Sequence, residues 1–322
     1  MARRTSYIVK TRGMIGCQML WFLLWKNPKT EFAGVYEQMK KVYLFGLVLW
    51  FCLPVSAQVF RFTAIPDQNT HQLQVRFGKV ADYLSKELGV KVEYVPVKSY
   101  SASVAAFKNS QVHLAWFGGL TGVQARRAVP GSQAIAQGEE DTSFVTYFIA
   151  NTQTGITAGP DLPEQVKGLT FTFGSKGSTS GRLMPEFYVR QRFNTAPGKV
   201  FKRVGFSGDH SKTIALVQAG SYQVGAVNFK VYDRELAAGK IDESKVRIIW
   251  KTPSYPDYNW TIHGQADKLF GAGFSAKVKQ ALLAMNDPDL LASFPRTRFI
   301  SANNDMYKPI LDTAISIGLI DR

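Results

Sequence analysis

From Val59 onward, apolar residues recur in two rhythms that alternate along the chain. Val59–Ile65 is an apolar, β-branched run that predicts a strand. Leu73, Phe77, Val80, Leu84 and Leu88 then recur at steps of four, three, four and four. This is one face of a helix, with Thr70 placed to cap its start and Gly89 its end. Residues 90–95 predict a second strand, Tyr100–Phe107 a short helix, and Val112–Phe117 a third strand closed by Gly118-Gly119. The β-α-β-α-β order predicts an open, mostly parallel sheet with helices on both faces. Ser143–Asn151 is a longer extended run that reads as a crossing segment, and residues 155–168 read as a loop. The pattern then restarts: strand 169–173, helix 181–192, strand 200–206, helix 210–219, strand 223–228, helix 229–238 and strand 245–250. Pro253–Tyr258 reads as a second crossing, and 274–285 and 304–317 as helices. Two α/β units joined by two crossings describe a bilobal clamp. One lobe is expected to hold residues 58–150 plus 254–322, the other 151–253, with a ligand between them near strand ends and helix N-termini.

The residues before this pattern have a different character. Met39-Lys40-Lys41, the apolar run Val42–Leu53 and Pro54-Val55-Ser56-Ala57 follow the order of a secretory signal peptide, with Gln58 as the first mature residue. The apolar run is short for a membrane span, although a retained anchor is the alternative. Residues 1–38 read as a start assigned too early or as an extra leader. Both cysteines, Cys17 and Cys52, fall within 1–57, so residues 58–322 offer no disulfide, thiol nucleophile or thiolate metal site. The net charge is +15 overall and +9 over residues 58–322. A basic exported protein suits an anionic small molecule or a membrane surface. The chain has no dense Lys/Arg run or recognition motif, so nucleic acid is not an expected partner.

The strongest chemical signal is Gly174-Ser175-Lys176-Gly177-Ser178-Thr179-Ser180-Gly181, set between the strand ending at Phe173 and a helix start. The first turn of a helix leaves backbone N–H groups unpaired and carries partial positive charge. Glycines admit a ligand close to the backbone, and three adjacent hydroxyls add donors. A plain helix cap is the alternative reading. The stretch is not a P-loop, because no Gly-Lys-Ser/Thr stands at the required spacing. Gly177-Ser178-Thr179-Ser180-Gly181 imitates a G-x-S-x-G nucleophile elbow. Its central Thr tolerates that strained turn poorly, however, and His210 precedes Asp257, the reverse of the hydrolase order. No catalysis and no cofactor are therefore expected. His210 follows Gly208-Asp209 at a predicted helix start and is either a donor to an oxyanion, with a charge that varies near neutral pH, or a surface cap residue. His71, His113 and His263 show no metal-ligand spacing, and His113, inside a strand, is read as structural. Arg182 either reaches the anion or faces solvent.

Several stretches together resemble the phosphate/phosphite/phosphonate substrate-binding proteins of ABC importers: Ala115-Trp116-Phe117-Gly118-Gly119, Phe173-Gly174 through Gly181, Leu183-Met184-Pro185, Ser207-Gly208-Asp209-His210 and Ile249-Trp250-Lys251-Thr252-Pro253. The segment Thr252–Thr261 is similar to a branch often labelled selenate-binding. The resemblance covers nearly all of 58–322. It implies an α/β, type II periplasmic clamp with two open sheets and a two-segment hinge, which captures a tetrahedral oxyanion and hands it to the transmembrane subunits of an ABC permease, the clamp itself being a monomer. It implies that Ser178, Thr179 and Ser180 hold the oxyanion with His210, that Tyr100 reaches in from the first lobe, and that Asp257 and Tyr147 come from the crossing segments. Binders of amine-bearing phosphonates place an acidic residue just after the strand ending Ala226-Val227-Asn228. Lys230 aligns there, which favours a small inorganic oxyanion. Asp257 would accept a proton from hydrogen phosphite or hydrogen phosphate, whereas selenate or sulfate, fully deprotonated, would leave it unpaired at about 1–3 kcal/mol. A selenate or sulfate binder of the same importer type is the alternative, and a ligand-sensing partner of a membrane receptor would use the same cleft.

Overall fold

The structure, a computed structural model, describes residues 58–68 and 70–321, apart from the side chains of Thr70 and Gln72. The signal-peptide reading of 39–57, the reading of 1–38, both cysteines and the Thr70 cap lie outside the described residues.

Buried apolar strands build two separate sheets. The first has the order β11-β4-β10-β3-β1-β2, where β1 is Phe60–Ala64, β2 Val92–Tyr94, β3 Leu114–Phe117, β4 Gln133–Gly138, β10 Asn259–Ile262 and β11 Phe299–Ser301. The second has the order β7-β6-β8-β5-β9, where β5 is Thr146–Asn151, β6 Thr170–Phe173, β7 Arg203–Phe206, β8 Val224–Asn228 and β9 Val246–Lys251. The restarted β-α-β pattern gives each sheet a parallel part, β2-β1-β3 in one and β7-β6-β8 in the other. The chain that crosses over adds an antiparallel strand to each: β5 pairs with β8 and β9, and β10 with β3 and β4. Residues Leu114–Phe117 are buried on both faces, which explains their unbroken apolar run.

The helices that matter for the site are α1 (Thr70–Leu88), α2 (Tyr100–Lys108), α3 (Gly119–Ala128), α4 (Met184–Phe193), α5 (His210–Gln218) and α6 (Phe229–Ala237). Strands β4, β10 and β11 and helix α3 are absent from the pattern-based reading. The strand expected over 200–206 begins at Arg203, because Pro197 starts a short helix over Pro197–Val200.

Each sheet has its own core. In the five-stranded sheet, alternate residues of β5 serve opposite faces. Phe148 packs with Phe171, Phe173 and Ile249 on one side, while Tyr147 and Ile149 pack with Ile214, Val217 and Val227 on the other. The two chain segments that pass between the sheets pair with each other. Phe144 N donates to Tyr255 O and Tyr255 N to Phe144 O, both at 2.9 Å.

Candidate functional site

The Gly/Ser/Thr turn follows β6 and folds back on itself. Gly174 N donates to Gly181 O at 2.8 Å. Pro185 at the start of α4 makes that possible, because it has no N–H to offer the same carbonyl. Ser178 Oγ accepts from Gly181 N at 2.9 Å, so this hydroxyl is the helix cap. Thr179–Leu183 form a single π-turn, with Leu183 N reaching Ser178 O at 3.0 Å. Such widened turns leave first-turn N–H groups and side chains facing a common point.

His210 begins α5, with Asp209 as its cap through Lys212 N (2.8 Å). His210 is completely buried. Its Nδ1 accepts from Asn228 N at 3.3 Å, which leaves the ring proton on Nε2. Burial pushes its pKa down to about 3, so the imidazole stays neutral at physiological pH and donates without carrying charge. The expectation that its charge varies near neutrality is therefore corrected by burial. The ring packs against the turn: a Cβ on Gly181 would lie 3.0 Å from His210 Cε1, so only glycine permits this approach.

Residues beside the six-stranded sheet supply the opposite wall. The N-terminus of α3 offers two adjacent N–H groups. Gly119 N donates to Asp257 Oδ1 at 2.9 Å, and Leu120 N donates to Thr179 Oγ1 at 3.0 Å. One helix end thus holds the carboxyl of the return crossing and a hydroxyl of the turn. Asp257 is completely buried beside the Thr179 hydroxyl. Burial, only partly offset by the Gly119 N–H, raises its pKa to about 7. Tyr100 starts α2, where Ser99 caps the helix, and its buried hydroxyl lies beside Ser178. Burial lifts its pKa well above the ordinary phenol range, so it remains a donor.

Four buried polar atoms on or beside the turn have no regular hydrogen bond among the described residues: Ser180 Oγ, His210 Nε2, Tyr100 OH and Asp257 Oδ2. Leaving a buried polar atom unpaired costs about 1–3 kcal/mol. Three of these groups are neutral donors. The fourth accepts when ionised and donates when protonated. A small oxyanion with several acceptor oxygens matches that set, and none of the four atoms belongs to a Lys or Arg.

Ser178, Thr179, Ser180, His210, Tyr100 and Asp257 are thus brought together, and Tyr147 is not. Tyr147 points to the α5–α6 face of β5, where its ring packs on Phe229 and Tyr232 and its hydroxyl is 3.5 Å from Asp233 Oδ2. The pleat explains the correction, since the adjacent residue Thr146 faces the turn and its Oγ1 donates to Ser180 O at 2.8 Å. Thr146 is a residue that the sequence reading missed; it shares a hydrogen bond with Tyr255, an aromatic read as lining the cleft or filling a core, whose hydroxyl lies beside Ser180. Strand parity relative to Phe148 was the available signal. Arg182 turns away, paired with Glu186 at 2.5 Å and stacked on Phe173. Lys230 Nζ bonds Glu140 at 3.2 Å. Asn228 stands nearer the cleft, donating from Nδ2 to Tyr258 OH (3.0 Å), which in turn donates to Asp67 Oδ2 (2.8 Å).

Two outcomes follow from this geometry. Thr179→Val removes the acceptor of Leu120 N and is expected to weaken oxyanion binding by about 1–3 kcal/mol, read by calorimetric titration; unchanged affinity would exclude the turn. Asp257 has a folded-state pKa near 7 against an ordinary 3.8. Its raised pKa adds stability that is complete below about pH 4 and lost as pH rises through 7. In urea unfolding of the ligand-free protein, the stability of wild type relative to Asp257→Asn should therefore fall between pH 4 and 8, by on the order of 4 kcal/mol. A constant difference would mean that the carboxyl is ionised throughout.

The family model of the ABC transporter, phosphonate, periplasmic substrate-binding protein matches residues 62–307. The protein named "Probable ABC transporter phosphite binding protein PhnD1" of Prochlorococcus marinus (strain MIT 9301) is 39% identical over 262 residues, covering 79% of this chain and 88% of that protein. The 1.52 Å structure of PhnD1 in complex with methylphosphonate superposes with a TM-score of 0.77 at 37% identity, covering 82% of this chain and all of that one. A binding protein component of an ABC phosphonate transporter from Pseudomonas aeruginosa, 22% identical, shares the fold at a TM-score of 0.70 over 81% of this chain and 87% of its own. The chain belongs to the family of periplasmic substrate-binding proteins of ABC phosphonate transporters, which bind a substrate for uptake.

Proposed function

We propose that this protein captures phosphite or a small phosphonate between its two lobes and delivers it, chemically unchanged, to an ABC permease. The observation that carries the reading is the convergence of four buried, unpartnered polar atoms from Ser180, His210, Tyr100 and Asp257. The similarity to PhnD1, named as a phosphite-binding protein and solved with methylphosphonate, supports the choice of phosphorus. Lobe one comprises 58–150 plus 254–322 and lobe two 151–253. Ser178–Ser180 and His210 act from lobe two, Tyr100 and Asp257 from lobe one. Hinge closure then excludes water, and binding energy favours the closed clamp. The leader at 39–57 directs export, and the mature protein acts as a monomer.

Asp257 makes recognition depend on protons. The closed site tolerates one proton between the carboxyl and a dianion. A hydrogen phosphite brings it on the ligand; selenate would require it on Asp257, which a pKa near 7 allows. An exclusion of selenate based on an ionised Asp257 therefore does not follow, and protonation behaviour separates the two ligands. In calorimetry from pH 5 to 9, phosphite and methylphosphonate are expected to bind most tightly, with affinity passing through a maximum in pH. Selenate is expected to bind more weakly, level below about 7 and falling about tenfold per pH unit above it. Tighter binding of selenate or sulfate than of either phosphorus ligand would overturn the assignment, and no binding by any of them would move the protein to another ligand class.

A further inference from the structure

Among the described residues, one ion pair has both side chains almost completely buried, and substrate contact does not explain it. Arg296, in the C-terminal part of the chain, and Asp141, on the first crossing, are 7% and 0% exposed. They meet as a two-pronged fork, with Arg296 Nε on Asp141 Oδ2 at 2.8 Å and Nη2 on Oδ1 at 2.6 Å. The remaining Arg296 donor Nη1 goes to Phe294 O at 2.6 Å. The guanidinium is flanked by the rings of Tyr258 (5.1 Å), Phe144 (5.5 Å) and Trp116 (5.9 Å). The approach is tight enough that a Cβ on Gly138 would fall 2.5 Å from Asp141 Oδ2 and 2.6 Å from Arg296 Cγ. A buried ion pair adds little or nothing to stability over apolar residues of the same shape, so stability alone does not account for it.

What the pair reaches is Asp257. The backbone carbonyl of Asp141 accepts from Asp257 N at 3.0 Å, so the fork fixes the chain that carries the cleft's carboxyl. Beside it, Phe144 and Tyr255 join the two crossings, and Arg296 stacks on Phe144. The pair also sets the field at that carboxyl, Arg296 favouring the charged form of Asp257 and Asp141 opposing it. Around Asp257 stand the Gly119 N–H, the Thr179 hydroxyl and the phenols of Tyr100, Tyr255, Tyr258 and Tyr307, with Ser180 and the neutral His210 on the turn side; the Asp67 carboxyl acts on Tyr100 and Tyr258, and the Glu140 carboxyl on Asp141 and Arg296.

We propose that Asp141 and Arg296 are positioning residues for Asp257: their fork holds its carboxyl in the cleft, and their opposed charges keep it poised to share one proton with the bound oxyanion. The proposal rests on the oxyanion reading for its ligand, while its electrostatic part is measurable without one. Asp141→Asn leaves the Arg296 charge unopposed and should lower the pH at which Asp257 titrates; removing that charge as well, in Asp141→Asn/Arg296→Met, should restore it, whereas Arg296→Met alone would let the buried Asp141 take up a proton. Each shift should be on the order of one pH unit.

The experiment is a carboxyl carbon-13 NMR titration of ligand-free protein labelled at aspartate, with Asp257→Asn assigning the resonance. A lower titration pH in Asp141→Asn and its reversal in the double variant are expected, a pattern that general loosening of the fold would not produce. No shift in the single variant, or no reversal in the double, would overturn the proposal. Should either variant fail to fold, Arg296→Lys keeps the charge and loses the fork. In it, Asp257 should titrate as in wild type while phosphite affinity falls about tenfold, and wild-type affinity would overturn the positioning role. The shift and its reversal in the variants, with no oxyanion bound by wild type, would refute the ligand reading and leave the coupling standing.

Discussion

An oxyanion and a buried carboxyl can occupy one cleft only with a proton between them. At a separation of about 4 Å, two like charges out of water repel by several kcal/mol even at an effective dielectric of 20. In the proposed site Asp257 is completely buried, which lifts its pKa to about 7 and makes a shared proton available at neutral pH. The other donors have to follow. His210 is held neutral by its own burial, and Tyr100 and the turn hydroxyls never carry charge. A lysine or arginine in their place would bind any anion strongly regardless of protonation. Neutral donors instead make the geometry and proton count of the ligand matter.

The topology explains how such a set assembles from distant parts of the chain. Parallel β-α-β units end their strands beside helix N-termini, and each sheet contributes one such rim. From the first come Gly119 and Leu120 at the start of α3, and from the second the turn after β6 and His210 at the start of α5. The crossings then run between the sheets, so Asp257 and Tyr255 arrive at the rims from the side. Several bonds join residues around the six-stranded sheet to residues around the five-stranded one: Leu120 N to Thr179 Oγ1, His210 N to Asp67 O, and Asn228 Nδ2 to Tyr258 OH. The clamp proposed above would close on its own hydrogen bonds, with the ligand supplying only what the four unpaired atoms lack.

Much of this was legible in the sequence where local chemistry decides. The five-residue strand Leu169–Phe173 followed by glycines and hydroxyls gave the turn, and Gly208-Asp209-His210 gave a helix start, because capping and glycine geometry are short-range effects. What pleating decides was harder. Tyr147 and Thr146 are neighbours, and aromatic character drew attention to the residue that points away. What burial decides was not legible at all. The neutrality of His210 and the proton affinity of Asp257 depend on dozens of surrounding atoms, and the same sequence in water would give neither. Strand β4 escaped because its sequence, QAIAQG, sets one Ile among small and polar residues, and β10 and β11 because four and three residues are too few to show an alternation.

The pairing of Asp141 with Arg296 lies furthest from the sequence, since 155 residues separate the two. Its place in the fold is nonetheless physically reasonable. A hinge must bend while the groups it carries keep sub-ångström positions, and an apolar contact can slide where a fork of two charge-assisted bonds has one geometry. Buried beside the point where the crossings pair, the fork holds Asp141, whose carbonyl accepts from Asp257 N. The cost of burying two charges is then offset by the orientation of the segment that carries Asp257.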